Sequence, residues 1–191
     1  EPAPTDSQHK DPSKNDILIE KMQLLLGPES GSWFNYALNS EFATPEDVNL
    51  HSLFRNGFED DSHDLPSEDE LEYLKDKILY DDLSMMSLIR LSPSRMDEVL
   101  QEHFGTTLEQ CNKIAIGLFV YWEKTDTYYS VYTRNKVTSL SVRNVEELKD
   151  GSMRVFYTSE RNNMVATLTP KEDGFILKSN LPARIKESGN L

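Results

Sequence analysis

The chain has 191 residues, 37% of them apolar, and carries 20 Lys and Arg against 33 Asp and Glu, a net charge of −13 at neutral pH. That length suits one domain, and the negative field argues against a nucleic-acid backbone or an anionic membrane surface as partner. A single cysteine, Cys111, rules out a disulfide within the chain, and no window reaches the ~20 apolar residues that a transmembrane helix needs.

Residues 1–15 are polar and proline-bearing and read as a disordered tether. They look like what remains after a leader is removed, the alternative being an arbitrary boundary. Asn15 or Asp16 can cap a helix with Ile17, Leu18, Met22, Leu25 and Leu26 on one face, stopped by Gly27-Pro28. Gly31 to Asn39, with Trp33, Phe34 and Tyr36, suits a short helix or a packed turn. Thr44-Pro45-Glu46-Asp47 is a helix start, with Thr44 as cap and Pro45 in the first position, and Asn56-Gly57 closes it. Ser67 and Glu70 form a capping box ahead of Leu71, Leu74 and Ile78. Leu83 to Leu91 is apolar and fits either a helix or a strand. Pro93 to Phe104, capped by Ser92 and stopped by Gly105, is the clearest helix; Thr107 and Gln110 box a short one over Leu108 to Asn112.

From Ile114 the apolar period falls to two. Strands are expected at Phe119–Glu123, around Tyr128–Tyr132, and at Val137–Val145, Met153–Thr158, Met164–Leu168 and Phe175–Lys178. Asp150-Gly151 and Asp173-Gly174 are hairpin turns, with weaker ones at Arg134-Asn135 and Asn162-Asn163. Short connections make neighbours antiparallel. The expected fold is α+β, with N-terminal helices packed on one face of a C-terminal antiparallel meander of five to six strands. The chain then divides into a tether (1–15), one domain (16–182, helical over 16–112 and sheet over 114–180) and a polar tail (183–191).

Glycine-rich phosphate loops, HExxH, CxxC and GxSxG are all absent, so the sequence gives no local catalytic signature. A hydrolase using carboxylates, or Cys111 with His51 or His103 as base, is the alternative to a binding protein. Cys111 reads foremost as a small buried apolar residue. Asp60, Ser62, Asp64 and Glu68 are spaced like a calcium loop, but Leu65 stands where glycine is required and Leu71 where glutamate is, so the stretch reads as a solvated acidic loop. No metal or cofactor is assigned. A third reading is an interaction module acting through the acidic run Glu59 to Glu72.

The densest chemical signal is Phe119 to Thr133, FVYWEKTDTYYSVYT. Alternation divides its aromatics between two faces, one for the core and one beside Asp126, Arg134 and Arg143. Exposed rings next to polar groups suit stacking on sugars or docking a partner. The candidate ligand-binding residues are Trp122, Asp126, Tyr128 and Tyr129, joined by Trp33 and Tyr36.

Four segments taken together, SWFNYALNSEFATPEDVNLHSLFRNGF (Ser32 to Phe58), RMDEVLQEHFGTTLEQCNK (Arg95 to Lys113), YWEKTDTYYSVYT (Tyr121 to Thr133) and DGFILKSNL (Asp173 to Leu181), resemble an uncharacterised family of secreted or lipid-anchored proteins of Gram-positive gut anaerobes. The resemblance spans about Trp33 to Leu181. It implies an extracellular, cell-surface location and a lipid anchor upstream of Glu1, with residues 1–15 as tether. It brings no reaction or ligand with it. Members of that family often place an aspartate shortly after the double tyrosine, where this chain has Thr133-Arg134-Asn135. The expected protein is an extracytoplasmic, non-catalytic binder of a cell-wall or glycan component, or of a protein partner.

Overall fold

The computed structural model describes residues 13–30, 32–55, 64–79, 82–132, 137–160 and 162–183. The fold is α+β. Among the described residues five α-helices, α1 (Lys14–Leu26), α2 (Trp33–Ala37), α3 (Leu50–Phe54), α4 (Glu68–Leu74) and α5 (Pro93–Phe104), precede the larger sheet. The expected elements at 1–12, the stop at Asn56-Gly57, the turn at Arg134-Asn135 and the tail beyond 183 lie outside the described residues.

Local side-chain chemistry sets the helix ends. α1 starts at Lys14, inside the expected tether, because Ser13 takes the cap in place of Asn15 or Asp16. The Asp16 backbone N–H donates to the Ser13 hydroxyl, and the Asp16 carboxylate accepts from the Ser13 N–H at 2.9 Å. The helix expected from Thr44 divides into a 3-10 turn, Pro45–Asp47, and the separate α3. Thr44 turns its hydroxyl to the Asp47 carboxylate at 3.3 Å, leaving Asn49 to cap α3. Ser67 and Ser92 cap α4 and α5 as expected, and Gly105 ends α5 at φ 67°, where a side chain would be strained. The Thr107–Gln110 box closes a hydrogen-bonded turn and not a helix.

The strands form two antiparallel sheets. β1 (Leu88–Leu91), β2 (Val120–Trp122) and β3 (Thr127–Val131) are ordered β1-β3-β2. β4 (Leu140–Glu147), β5 (Met153–Ser159), β6 (Asn162–Lys171) and β7 (Gly174–Pro182) form the meander. The expected run of five to six strands therefore yields a four-stranded meander, and its first hairpin, β2–β3, is taken out to pair with β1. Leu88–Leu91 supplies that partner from the far side of α5, and no local period could reveal the pairing.

The larger core lies between the helices and one face of the meander. Phe54, Leu100, Phe104, Val155, Tyr157, Ala166, Leu168 and Leu177 are all buried there, and each large apolar side chain contributes about 1.5–3 kcal/mol by leaving water. A second core, of Leu74, Leu83, Leu88, Tyr129 and Val131, sits between the small sheet and α4. Ile89 and Leu91, pointing the other way from β1, belong to the larger core. The small sheet is thus a wall shared by two cores.

Buried amides tie the helical half to the meander. Asn35, fully buried, accepts from the Thr138 N–H at 2.8 Å and donates to the carbonyls of Thr138 and Leu26 at 2.9 and 2.7 Å. Gln23 does the same one step along β4, accepting from the Val142 N–H at 2.8 Å and donating to the Leu140 carbonyl at 3.3 Å. Gly27 leaves room for this: a Cβ there would stand 2.8 Å from the Gln23 side-chain nitrogen and 2.4 Å from the Gln23 backbone carbonyl oxygen. Asn180 accepts from the Tyr157 hydroxyl at 2.6 Å and donates to the carbonyls of Leu38 and Ser40, while its backbone bridges Phe42. Such groups cost heavily when buried without partners, so three satisfied amides fix one arrangement of loop on sheet.

Candidate functional site

The β2–β3 hairpin gathers the aromatics. Its strands turn over a 3-10 segment, Glu123–Thr125, and Asp126 closes the turn in the left-handed region at φ 47°, a conformation that a short polar side chain tolerates. Residues opposite each other in an antiparallel pair share a face. Tyr121 faces with Tyr128, Trp122 with Thr127, and Val120 with Tyr129.

One face is committed to packing. Tyr129 is only 3% exposed and lies in the second core, with its hydroxyl 3.2 Å from that of Thr125. Trp122 is half-buried and stacked on Tyr73 of α4, with centroids 4.5 Å apart and planes 10° apart. A cation lies over each ring: Lys77 Nζ is 3.8 Å from the Tyr73 centroid and Lys124 Nζ 5.3 Å from that of Trp122. Lys124 also reaches Asp69 at 3.0 Å. Trp122 is therefore a clamp between hairpin and helix, and neither it nor Tyr129 offers an open platform.

The other face carries the accessible ring. Tyr121 is 41% exposed, and its hydroxyl donates to Asp126 Oδ1 at 2.6 Å. That bond to a carboxylate, together with the nearby negative charge, pushes the phenol up to about 12. Tyr128, half-buried, packs its ring 4.8 Å from that of Tyr121, and burial followed by the Asp126 charge raises its ionisation as well. Tyr73 adds a further tie, donating its hydroxyl to the Tyr121 carbonyl at 3.0 Å. The hairpin thus presents one open ring held rigidly beside a carboxylate, a pair able to stack on an apolar face and accept a hydrogen bond at its edge.

Trp33 and Tyr36 lie elsewhere. They meet each other edge-on at 5.8 Å, Trp33 packs on Phe54 at 5.7 Å, and Tyr36 is 7% exposed in the larger core. Arg143 sits at a bulge of β4 and donates to Thr158 of the neighbouring β5, in the meander and not the hairpin's sheet, and Arg134 lies outside the described residues. Of the expected site, Asp126 is exposed and Tyr128 keeps an accessible side, Trp122 and Tyr129 serve the fold, Tyr36 is core, and Trp33 is half-buried against that core, away from the hairpin. Tyr121 and Tyr73 are the residues that the sequence reading left out. Alternation opposite Tyr128 could have singled out Tyr121. Nothing local points from α4 to Trp122.

Cys111, His51 and His103, considered for hydrolysis, are each drawn into the packing. Cys111 is buried, and burial pushes its thiol up, away from the thiolate that attack requires. His103 and His51 are partly buried and lowered chiefly by that burial. His103 packs on Phe34, and His51 on Phe119, both at 5.3 Å. In the acidic run, Asp60, Ser62 and the stretch 59–63 lie outside the described residues. Glu70 is engaged inside: Arg90 of β1 reaches both its oxygens at 2.8 Å, and that bond holds the carboxyl down to about 2. Among the described residues there is no group of three or more His, Cys, Asp or Glu placed to hold a metal ion, and no helix is long and apolar enough to cross a membrane. Compared with protein-family models, with curated proteins and with solved structures, the chain matches none.

Proposed function

We propose that this chain is an extracytoplasmic, non-catalytic binding protein that engages a cell-wall glycan through the outer face of the β2–β3 hairpin. The observation that carries this reading is the open Tyr121 ring fixed by its hydroxyl to Asp126 at 2.6 Å, with Tyr128 beside it. A pre-positioned ring needs little ordering on binding, and a carboxylate at its edge can accept from a sugar hydroxyl. The surface location and a lipid anchor rest on the family resemblance of Ser32–Phe58, Arg95–Lys113, Tyr121–Thr133 and Asp173–Leu181, and on the polar, proline-bearing composition of residues 1–12.

Titration of the Trp33→Phe protein with cell-wall glycan fragments tests this, since Trp122 then reports alone from the strand that carries Tyr121. Saturable change in emission is expected, with affinity lowered at least tenfold by Tyr121→Ala and by Asp126→Ala. Binding that both variants leave intact overturns the hairpin as the site. Absence of any glycan binding, together with capture of one protein by the wild type and not by Tyr121→Ala, replaces the glycan with a protein partner.

A further inference from the structure

The outer side of α1 carries a second apolar stripe. Spacing alone places Ile17 on one face with Leu18, Met22, Leu25 and Leu26. In the fold Met22 and Leu26 are buried, and Leu18, Ile19 and Leu25 pack against the larger core. Ile17 is 54% exposed instead, and Leu24, seven residues on, is 68% exposed. At about 100° per residue these two fall on the side of the helix away from Met22, with Glu20 and Lys21 between them. A surface helix ordinarily keeps its apolar stripe toward the core and polar residues opposite, so α1 has a ridge with nothing of its own fold to pack on.

Beside the ridge runs an open groove of about 480 Å³ between α1 and the start of β7, lined by Ile17, Glu20, Lys21, Leu24, Leu25 and Phe175. Its body is apolar, and its two charged side chains, both exposed, have opposite signs. The Lys21 ammonium stands 5.2 Å from the centroid of the Phe175 ring. Contact with a ring face uses the charge and leaves the ammonium able to donate to a carboxylate. The segment entering α1, residues 1–12, contains no large apolar side chain that could fill the groove.

We propose that this face is an interface between two copies of the chain, with their α1 helices packed antiparallel about a two-fold axis. The order of residues is self-complementary in that arrangement. Setting Ile17 against Leu24 of the second copy sets Glu20 against its Lys21, and the symmetry repeats both pairs. Each ridge then lies along the other copy's groove. A parallel pair in register would oppose Glu20 to Glu20 and Lys21 to Lys21, which like charges disfavour. One face of a 13-residue helix falls short of the roughly 800 Å² per partner of a standard interface, so the dimer is a weak one, with Kd on the order of 100 µM. The contact is separate from the hairpin and does not depend on what the hairpin binds.

Sedimentation velocity on the full chain, from about 10 µM to about 1 mM, tests this. The average sedimentation coefficient is expected to rise from monomer toward dimer across that range. Leu24→Lys should weaken pairing by about tenfold or more. Its thermal midpoint should hold, because position 24 is exposed and lysine is a good helix former, which separates lost pairing from lost fold. Glu20→Lys and Lys21→Glu should each weaken pairing about fivefold, since each sets like charges against each other twice. Mixing these two variants should bring pairing back, because every opposed pair is then Glu against Lys. The proposal is overturned if the wild type stays monomeric at the top of the range, if Leu24→Lys associates as the wild type does, or if the mixture pairs no better than either variant alone. A monomer whose Ile17 and Leu24 methyl groups are shielded from a soluble relaxation agent gives the face to another segment of the same chain, and overturns it too.

Discussion

In the meander each strand pairs with the strand before it, across turns of a few residues. In the small sheet the central strand, β3, pairs on one side with its hairpin partner and on the other with β1, which enters before α5. The meander packs a regular apolar face against helices. The small sheet carries a charge in its packed face, Arg90, answered by Glu70 from α4. A sheet made of local pairs can form from contiguous chain, whereas one that waits for a distant strand depends on the few contacts that hold that strand. The β2–β3 hairpin belongs to the second kind, so its geometry rests on α4 and β1 as much as on its own residues.

Asn180→Ala should have the largest effect, because it removes the acceptor for Tyr157 and two loop anchors at a fully buried position. A loss of about 3 kcal/mol is expected, read as a shift in the urea midpoint. A loss well below 1 kcal/mol would mean that the loop is held without Asn180.

Arg90→Met should cost about 2 kcal/mol, since it leaves the buried Glu70 carboxylate without its cation, with only the Ser67 N–H still donating to it. Hydrogen exchange should quicken at the β1 and β3 amides more than in β4 to β7. Uniform quickening across both sheets would show that the two unfold as one unit and erase the contrast.

The same pair sets an acid dependence. Glu70 is held at about 2 against an ordinary 4.5, so between those values the unfolded chain takes up a proton that the folded chain does not. Its contribution is complete above about pH 4.5 and fades as pH falls toward 2. Glu70→Gln should flatten that part of the stability profile, measured as urea midpoints across the range. A wild-type profile already flat there would contradict the pairing.

Tyr121→Phe is the mildest change. It removes an exposed bond to Asp126 and should leave the thermal midpoint where it is, while the Asp126 carboxylate loses its donor, a change visible in the backbone amide shifts of the Glu123–Asp126 turn. A lowered midpoint would show that the hairpin's outer face supports the fold.

Much of the architecture was legible because it is written locally. The boxes at Ser67–Glu70 and Ser92–Gly105 lie within a turn or two of the helices they delimit, and the period-two runs from Met153 onward alternate against a single buried face. What escaped was non-local. The pairing of Leu88–Leu91 with β3 and the stacking of Tyr73 on Trp122 join segments tens of residues apart, and neither leaves a trace in local spacing. The candidate site was half legible for the same reason: alternation divides the hairpin's rings into two sets, but only the position of α4 decides which set is covered. The β5–β6 turn escaped differently, since the asparagines that best suit it sit two residues beyond it.

The side-chain amides along β4 have one more consequence. The outermost strand of any open sheet offers a row of unpaired backbone groups to whatever extended chain comes near, including another copy of the same protein. On β4 and its approach that row is occupied, by Asn35 at Thr138 and by Gln23 at Leu140 and Val142. On β7 the bridge from Phe42 takes the place of a fifth strand, and on β2 the Tyr73 hydroxyl takes the Tyr121 carbonyl. Three side chains and one bridge thereby occupy part of the margins at β4, β7 and β2, so a foreign strand added at those points must first displace contacts that already hold the helices in place.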